Sequence, residues 1–320
     1  MKQITIGSAD AGQRFDKYLN RILPGAGTSF LYKMLRKKNI VLNGKKATGK
    51  EIVNAGDEVK VFFSDETFEK FSKSEQQENK VKSQISNYEK AYQQYKDKIK
   101  VLYEDENIIA FHKPIGILSQ ATKPSELSLN EYLIGYLLDR KVVSKDSLLK
   151  YKPSVAQRLD RNTSGIVLCG ITLQGLQLLS ELFREKNGED GLEKYYHCRV
   201  HGKFQKDGID IAYWKKNETK NMADIKFRPE EGYIAIKTGF TCDSYDADTD
   251  TSELTVRLYT GKSHQIRAHA AALGHPLVAD SKYGGKPITN QKRYELTCFK
   301  VVFPIIEGNL SDLSKLEISL

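Results

Sequence analysis

The chain has 320 residues, 39% of them hydrophobic and 28% charged, which suits about two domains with cores of their own and excludes a wholly disordered protein. No stretch reaches the ~20 consecutive apolar residues of a membrane span, and the first residues lack the apolar core of a signal peptide, so a cytoplasmic protein without a membrane partner is expected. The formal net charge is +9, and residues 1–64 alone carry 12 Lys/Arg against 5 Asp/Glu, which points to a polyanionic partner met at the N-terminus.

Residues 1–64 read as a small α+β module. Phe15, Tyr18, Leu19, Ile22 and Leu23 recur at the spacing of a helix face, and Pro24-Gly25 stops that helix. A second helix, capped by Thr28 or Ser29, turns Leu31, Met34 and Leu35 inward and Lys33, Arg36, Lys37 and Lys38 outward. In IVLNGKKA, Asn43-Gly44 is a preferred pair for a tight hairpin turn and places Lys45 and Lys46 just beyond it. Residues 65–99 change character, being rich in Glu, Gln and Lys without Gly or Pro. Ile85, Tyr88, Tyr92, Tyr95 and Ile99 recur there at helical spacing, so this segment reads as a charged helical linker or insert whose aromatic stripe serves packing rather than base stacking.

From residue 100 onward strands and helices alternate, giving a mixed α+β domain over 100–320 built on a large sheet. KVLYEDENIIAFHKP reads as two strands about an acidic turn, GIVLCGIT as a buried strand and LQGLQLLSELFREK as the helix after it. KYYHCRVHGKF and ELTVRLYTG are further strands, and the helix HQIRAHAAAL ends at Gly274. Cys169, Cys198, Cys242 and Cys298 form no C-x-x-C pair and read as free thiols.

The sharpest local signal is QRLDRNTSG at 157–165. It places the Asp160 carboxylate between Arg158 and Arg161, before the turn formers Asn162, Thr163, Ser164 and Gly165. Such a carboxylate in a basic loop suits covalent attack on an electron-poor carbon, phosphate-anchored RNA binding, or a purely structural salt bridge that fixes the turn. TGKSHQIRAHAAALGHP at 260–276 joins small residues, cations and a helix N-terminus into a phosphate-binding environment, with Lys262, His264 and Gln265 as RNA contacts. His264, His269 and His275 lie five and six residues apart, unlike the i, i+4 pairs of helical zinc sites, so no metal is expected.

Taken together, these segments resemble the RluA family of pseudouridine synthases. VLYEDENIIAFHKPIGIL looks like that family's opening block, ending in Lys113, Pro114, Ile115 and Gly116. QRLDRNTSG is similar to its Arg-Leu-Asp signature, KYYHCRVHG to its Lys-x-Tyr segment, and LYTGKSHQIRAHAAALGHPLVADSKYGG to its Thr-Gly-Arg-Thr-His-Gln-Ile-Arg block. The resemblance implies Asp160 as catalytic aspartate, Tyr196 as active-site tyrosine, Leu258 as apolar pocket residue and Arg267 as the arginine paired with Asp160. Arg158 and Arg161 would flank the pocket. It implies an isomerase that flips a uridine out of RNA and needs no cofactor, with large-subunit ribosomal RNA favoured as substrate over transfer RNA; a monomer is the default expectation for an RNA enzyme with many contacts. Asp160 would either attack the anomeric carbon or remove the adjacent ribose proton, and Tyr196 would take the proton from carbon five. The fold implied is a small RNA-binding domain, similar to one first seen in a ribosomal small-subunit protein, before a catalytic domain with a mixed, mainly antiparallel sheet. Gln157, Pro153-Ser154, Lys262 and Ser263 depart from the family's usual residues, and Lys262 cannot reproduce a bidentate arginine contact to phosphate. Two other readings stay open: a non-catalytic RNA-binding assembly factor, against which Asp160, Tyr196 and Arg267 together argue, and a glycosidic hydrolase, which would need a second carboxylate as acid/base, none being expected in these blocks.

Overall fold

The computed structural model describes residues 1–7, 10–72, 75–123, 125–184, 191–288 and 290–320. They divide into two compact units, Met1–Tyr92 with Ile134–Pro153, and Gln93–Leu133 with Ser154–Leu320.

The first unit begins with β1 (Lys2–Thr5), α1 (Phe15–Ile22), α2 (Thr28–Arg36), β2 (Ile40–Leu42), β3 (Lys45–Lys46) and β4 (Glu58–Val61), the strands forming an antiparallel sheet in the order β1-β4-β2-β3. The helical periodicity translates directly: Phe15, Tyr18, Leu19, Leu31, Met34 and Leu35 are buried in one core, while Lys33, Arg36, Lys37 and Lys38 are exposed. The second helix starts one residue earlier than its expected caps. Gly27 is the N-cap, and the Thr28 hydroxyl donates to Asn20 Oδ1 instead of capping. Asn43 and Gly44 both have positive φ (51° and 71°), the backbone a two-residue hairpin turn requires.

Residues 65–92 belong to this unit as α3 (Asp65–Ser72) and most of α4 (Glu75–Tyr95). Ile85 and Tyr88 of α4 bury against Ile134 and Leu148, which lie in α5 (Leu129–Asp139) and α6 (Ser147–Lys150). Gly135 permits the closest approach, since a Cβ there would lie 2.2 Å from the Tyr88 carbonyl oxygen. The apolar stripe of α4 is therefore a packing face.

The second unit is built on one mixed sheet. Its strands are β5 (Lys100–Glu104), β6 (Ile108–Lys113), β7 (Ser154–Val155), β8 (Ser164–Gly170), β9 (Glu193–His201), β10 (Gly208–Asn217), β11 (Met222–Lys226), β12 (Ile234–Asp246), β13 (Thr251–Leu258), β14 (Leu296–Val302) and β15 (Glu317–Ser319). The order is β11-β10-β12-β13-β9-β14-β8-β6-β5, with β15 added to β14 and β7 to β8. Every pairing is antiparallel except β14 with β8. β8 is buried at every position, as its unbroken apolar run requires of a strand covered on both faces. Gly165 opens it at φ 118°, where a Cβ would meet the Cys298 carbonyl oxygen at 2.2 Å, so the parallel contact with β14 demands glycine. α7 (Leu173–Arg184) packs on β8, and α8 (Gln265–Ala272) ends, as expected, before Gly274 at φ 90°.

Candidate active site

Asp160 sits in the loop between β7 and β8, and both of its chain neighbours are pinned. The Ser119 hydroxyl donates to the Leu159 carbonyl and accepts from the Leu159 amide, each at 2.9 Å. On the other side the Arg161 carbonyl accepts from the Gly116 amide at 2.8 Å, and Arg161 Nε donates back to the Gly116 carbonyl at 3.1 Å. Gln157 ties the start of the loop to β8, donating to the Ile166 carbonyl and accepting from the Leu168 amide. The Lys113-Pro114-Ile115-Gly116 turn thus holds the aspartate loop. Lys113 is fully buried and donates to the carbonyls of Pro114 and Ile117; burial pushes its ammonium down to about 8, with Asp160 pulling the other way.

Neither Arg158 nor Arg161 pairs with Asp160, although they flank it in sequence. Arg158 is exposed at the pocket wall, and Arg161 spends its Nε on Gly116. The partner comes from α8, 107 residues along the chain: Arg267 Nη1 donates to Asp160 Oδ2 at 3.2 Å. A salt bridge that merely closes the local turn is therefore not what the structure contains. Arg267 is itself locked. Its Nε and Nη2 bind both oxygens of Asp280 at 2.7 and 2.8 Å, and its guanidinium lies 4.2 Å from the ring centroid of Tyr294 and 5.2 Å from that of Tyr283. Burial opposes the charge of Arg267, but the bonds to Asp280 together with the fields of Tyr294, Asp280 and Asp160 outweigh it and keep its pKa raised.

A pocket of about 650 Å³ opens beside the Asp160 carboxylate. Tyr196 from β9 and Leu258 from the end of β13 line it, brought side by side because Tyr196 pairs with Val256 on the neighbouring strand. Burial pushes the Tyr196 phenol well above its ordinary value, with further contributions from Cys298 and Asp160. Lys194, buried and lowered by that burial, and Phe183 complete this wall.

The residues expected to contact RNA go to different places. Lys33, Arg36, Lys37, Lys38, Lys45 and Lys46 are exposed on the first unit, and Lys262 lies at the pocket wall. Gln265 is corrected: it is 2% exposed, its Oε1 accepts from Thr260 and the Lys262 amide, and its Nε2 donates to Lys237 and Thr238, so it has no group left for RNA. His264 comes to the aspartate, with Nε2 3.6 Å from Asp160 Oδ2. His269 is buried against Asp210 and Thr238, and His275 binds the His201 carbonyl. Asp280 is a second carboxylate beside the site, within the last quoted block, but both oxygens serve Arg267 and its side chain is 1% exposed. It has no freedom to activate water, which removes the support for a hydrolase.

Residues 107–272 match the family model described as RNA pseudouridylate synthase, just over half of the chain. The chain belongs to this family. An uncharacterized RNA pseudouridine synthase of Mycoplasma genitalium is 33% identical over 92% of this chain and 87% of its own length. A ribosomal large subunit pseudouridine synthase C of Rickettsia felis is 31% identical, covering 88% of this chain and 85% of its own. Among solved structures, human RNA pseudouridylate synthase domain containing 4 shares the fold, with a TM-score of 0.53 and 16% identity over 75% of this chain and 92% of that one. The protein is thus a pseudouridine synthase of the RluA family, an isomerase acting on RNA. Within this pseudouridine synthase, Ser119, Asp280, Tyr283 and Tyr294 escaped the reading of the sequence, and Lys113 was named there as part of a motif without a role. Asp280 alone carried a usable signal, as an aspartate in an otherwise apolar run.

Proposed function

We propose that the enzyme isomerises one or more uridines of large-subunit ribosomal RNA, with Asp160 as the reacting carboxylate. The observation that carries this reading is the asymmetry of that carboxylate. Arg267 and His264 face Oδ2, while Oδ1 makes no hydrogen bond or ion pair among the described residues and is left for the substrate. A stacked uridine must leave the helix to reach such a pocket, so base flipping precedes chemistry. Oδ1 then meets the ribose, either at the anomeric carbon or at the adjacent proton. Tyr196 and Leu258 confine the freed uracil while it turns and exclude water. The last step removes the proton from carbon five. Burial keeps Tyr196 a neutral phenol, a poor base, so the Asp160 carboxylate, free again once the new bond to carbon five has formed, takes that proton and releases it as N1 of the uracil gains one, while Tyr196 acts as a wall of the pocket. Atoms and oxidation state are conserved throughout, so no cofactor is required. Ribosomal RNA is favoured by the relatives named as ribosomal large subunit synthases. The exposed cations of the first unit supply a surface for its phosphates.

The test is pseudouridine formation on protein-free large-subunit ribosomal RNA and on transfer RNA, comparing wild type with Asp160→Ala. Product on ribosomal RNA with wild type alone supports the reading, and mapping it names the uridine. Product on transfer RNA alone replaces the substrate, and product with Asp160→Ala removes Asp160 from its role.

A further inference from the structure

The geometry points to His264 as a positioning residue for the catalytic carboxylate, one that steers the inner oxygen of Asp160 when neutral and captures it when protonated. This rests on Asp160 being the reacting group.

Three observations converge on that imidazole. First, His264 opens α8 in the left-handed region (φ 58°, ψ 20°), a backbone state that costs a non-glycine residue on the order of 1 kcal/mol and persists only where its surroundings over-determine it. They do so here. Gln265 binds Thr260, the Lys262 amide, Lys237 and Thr238 with its one amide group, and Trp214 Nε1 donates to the Ser263 carbonyl at 3.1 Å. The loop on both sides of His264 is fixed.

Second, the neighbours favour one tautomer of the ring. Tyr283 Oη accepts from the Ala223 amide at 2.7 Å, and in the arrangement we infer its own hydroxyl proton goes to His264 Nδ1, 2.9 Å away. With Nδ1 an acceptor, the neutral ring carries its hydrogen on Nε2, which faces Asp160 Oδ2 at 3.6 Å. Together with Arg267 Nη1 at 3.2 Å this gives Oδ2 two donors on one side and leaves Oδ1 open. The 3.6 Å separation is longer than a hydrogen bond, so the neutral ring steers the carboxylate without binding it fully.

Third, the groups around the ring oppose its charge. Burial lowers the pKa of His264 from 6.5; Arg267 on its own helix and Lys282 on the adjoining turn add to this, while Asp160 and Asp280 act against it. Below that pKa the ring becomes a cation 3.6 Å from a carboxylate, and the attraction closes the gap to a charge-assisted bond. Asp160 is then drawn toward α8 and away from the ribose. Activity is therefore present above the pKa of His264 and is lost as pH falls through it.

The test is the single-turnover rate from about pH 5 to pH 8 for wild type, His264→Gln, Tyr283→Phe and Asp160→Ala, each checked for a folded melting transition. Wild type should lose rate with a midpoint below 6.5. His264→Gln keeps an N–H donor but cannot titrate, and should be slower yet flat across the same window. Tyr283→Phe removes the donor that favours the neutral ring, and should move the midpoint upward. The inference is overturned if wild type shows no acid limb, if His264→Gln keeps the wild-type limb, or if Tyr283→Phe leaves the midpoint in place; should His264→Gln fail to fold, Tyr283→Phe alone decides. Product with Asp160→Ala would overturn both the functional reading and this one, whereas an inactive Asp160→Ala beside a titrating His264→Gln overturns this one alone.

Discussion

Replacing Arg267 separates what the residue does for the fold from what it does for the reaction. In Arg267→Met the two oxygens of Asp280, on a side chain 1% exposed, lose both of their partners at once. Stripping one member of a buried ion pair costs roughly 3–5 kcal/mol, a large share of the ~5–15 kcal/mol that holds a domain together. Adding Asp280→Leu removes the stranded carboxylate, and a thioether between the rings of Tyr283 and Tyr294 makes favourable contacts where the guanidinium lay. The double variant should regain most of the lost stability, so the coupling energy from urea unfolding of the two singles and the double should be at least about 2 kcal/mol. Turnover should not return. Asp160 Oδ2 would lack its 3.2 Å donor, and misplacement of a reacting group by about 1 Å costs on the order of a hundredfold in rate. Two results would refute the reasoning: additive effects of the singles, which would mean the pair is no buried strut, and restored single-turnover pseudouridine formation in the double, which would take Arg267 out of the positioning of Asp160.

Two further outcomes follow from other parts of the molecule. Changing Lys33, Arg36, Lys37 and Lys38 together to Gln should weaken RNA binding and flatten the dependence of log affinity on log salt by up to about 3.6, at roughly 0.7–0.9 per lost phosphate contact; an unchanged slope would place RNA elsewhere. Lys113, fully buried, has its ammonium depressed to about 8 from an ordinary 10.5, so the unfolded chain keeps that proton where the folded one sheds it. Below about pH 8 both states are protonated and the burial penalty is felt in full. Between pH 8 and 10 stability should rise, by at most about 3 kcal/mol, and Lys113→Met should abolish the rise in pH-dependent urea unfolding.

How much of this was legible in the sequence depended on the range of the forces involved. Local periodicity placed both helices of the N-terminal module and the buried strand β8, because core-facing positions there are simply apolar. The pairing of Asp160 with Arg267 came through family resemblance alone; the nearby Arg158 and Arg161 were the local candidates, and the structure uses neither. Ser119 and Asp280 act 40 and 13 residues from their partners through single hydroxyl and carboxylate contacts, which leave no periodic trace. Gln265 shows the converse failure. A polar residue beside cations at a helix start looks like a ligand contact until its burial and four hydrogen bonds show that it fastens the loop.

β10 lacks the apolar alternation of a half-buried strand for a reason that bears on the site. Its alternation is inverted: Ile209 and Ile211 point outward and are more than half exposed, while Asp210 points inward, accepting from His269 Nε2 at 2.9 Å, with Trp214 donating to Ser263. An inward carboxylate is costly unless paired, and its partner is a fully buried histidine on α8, two residues beyond Arg267. Two inward positions of this strand, Asp210 and Trp214, bond to the helix that carries Arg267 and to the loop that carries His264, and only Ala212 between them is a buried apolar residue. A hydrophobic-pattern reading scores such a strand as loop. A polar layer behind α8 thus braces the helix that carries Arg267, and Asp210, which binds that helix through His269, is also the residue that breaks the apolar pattern of β10.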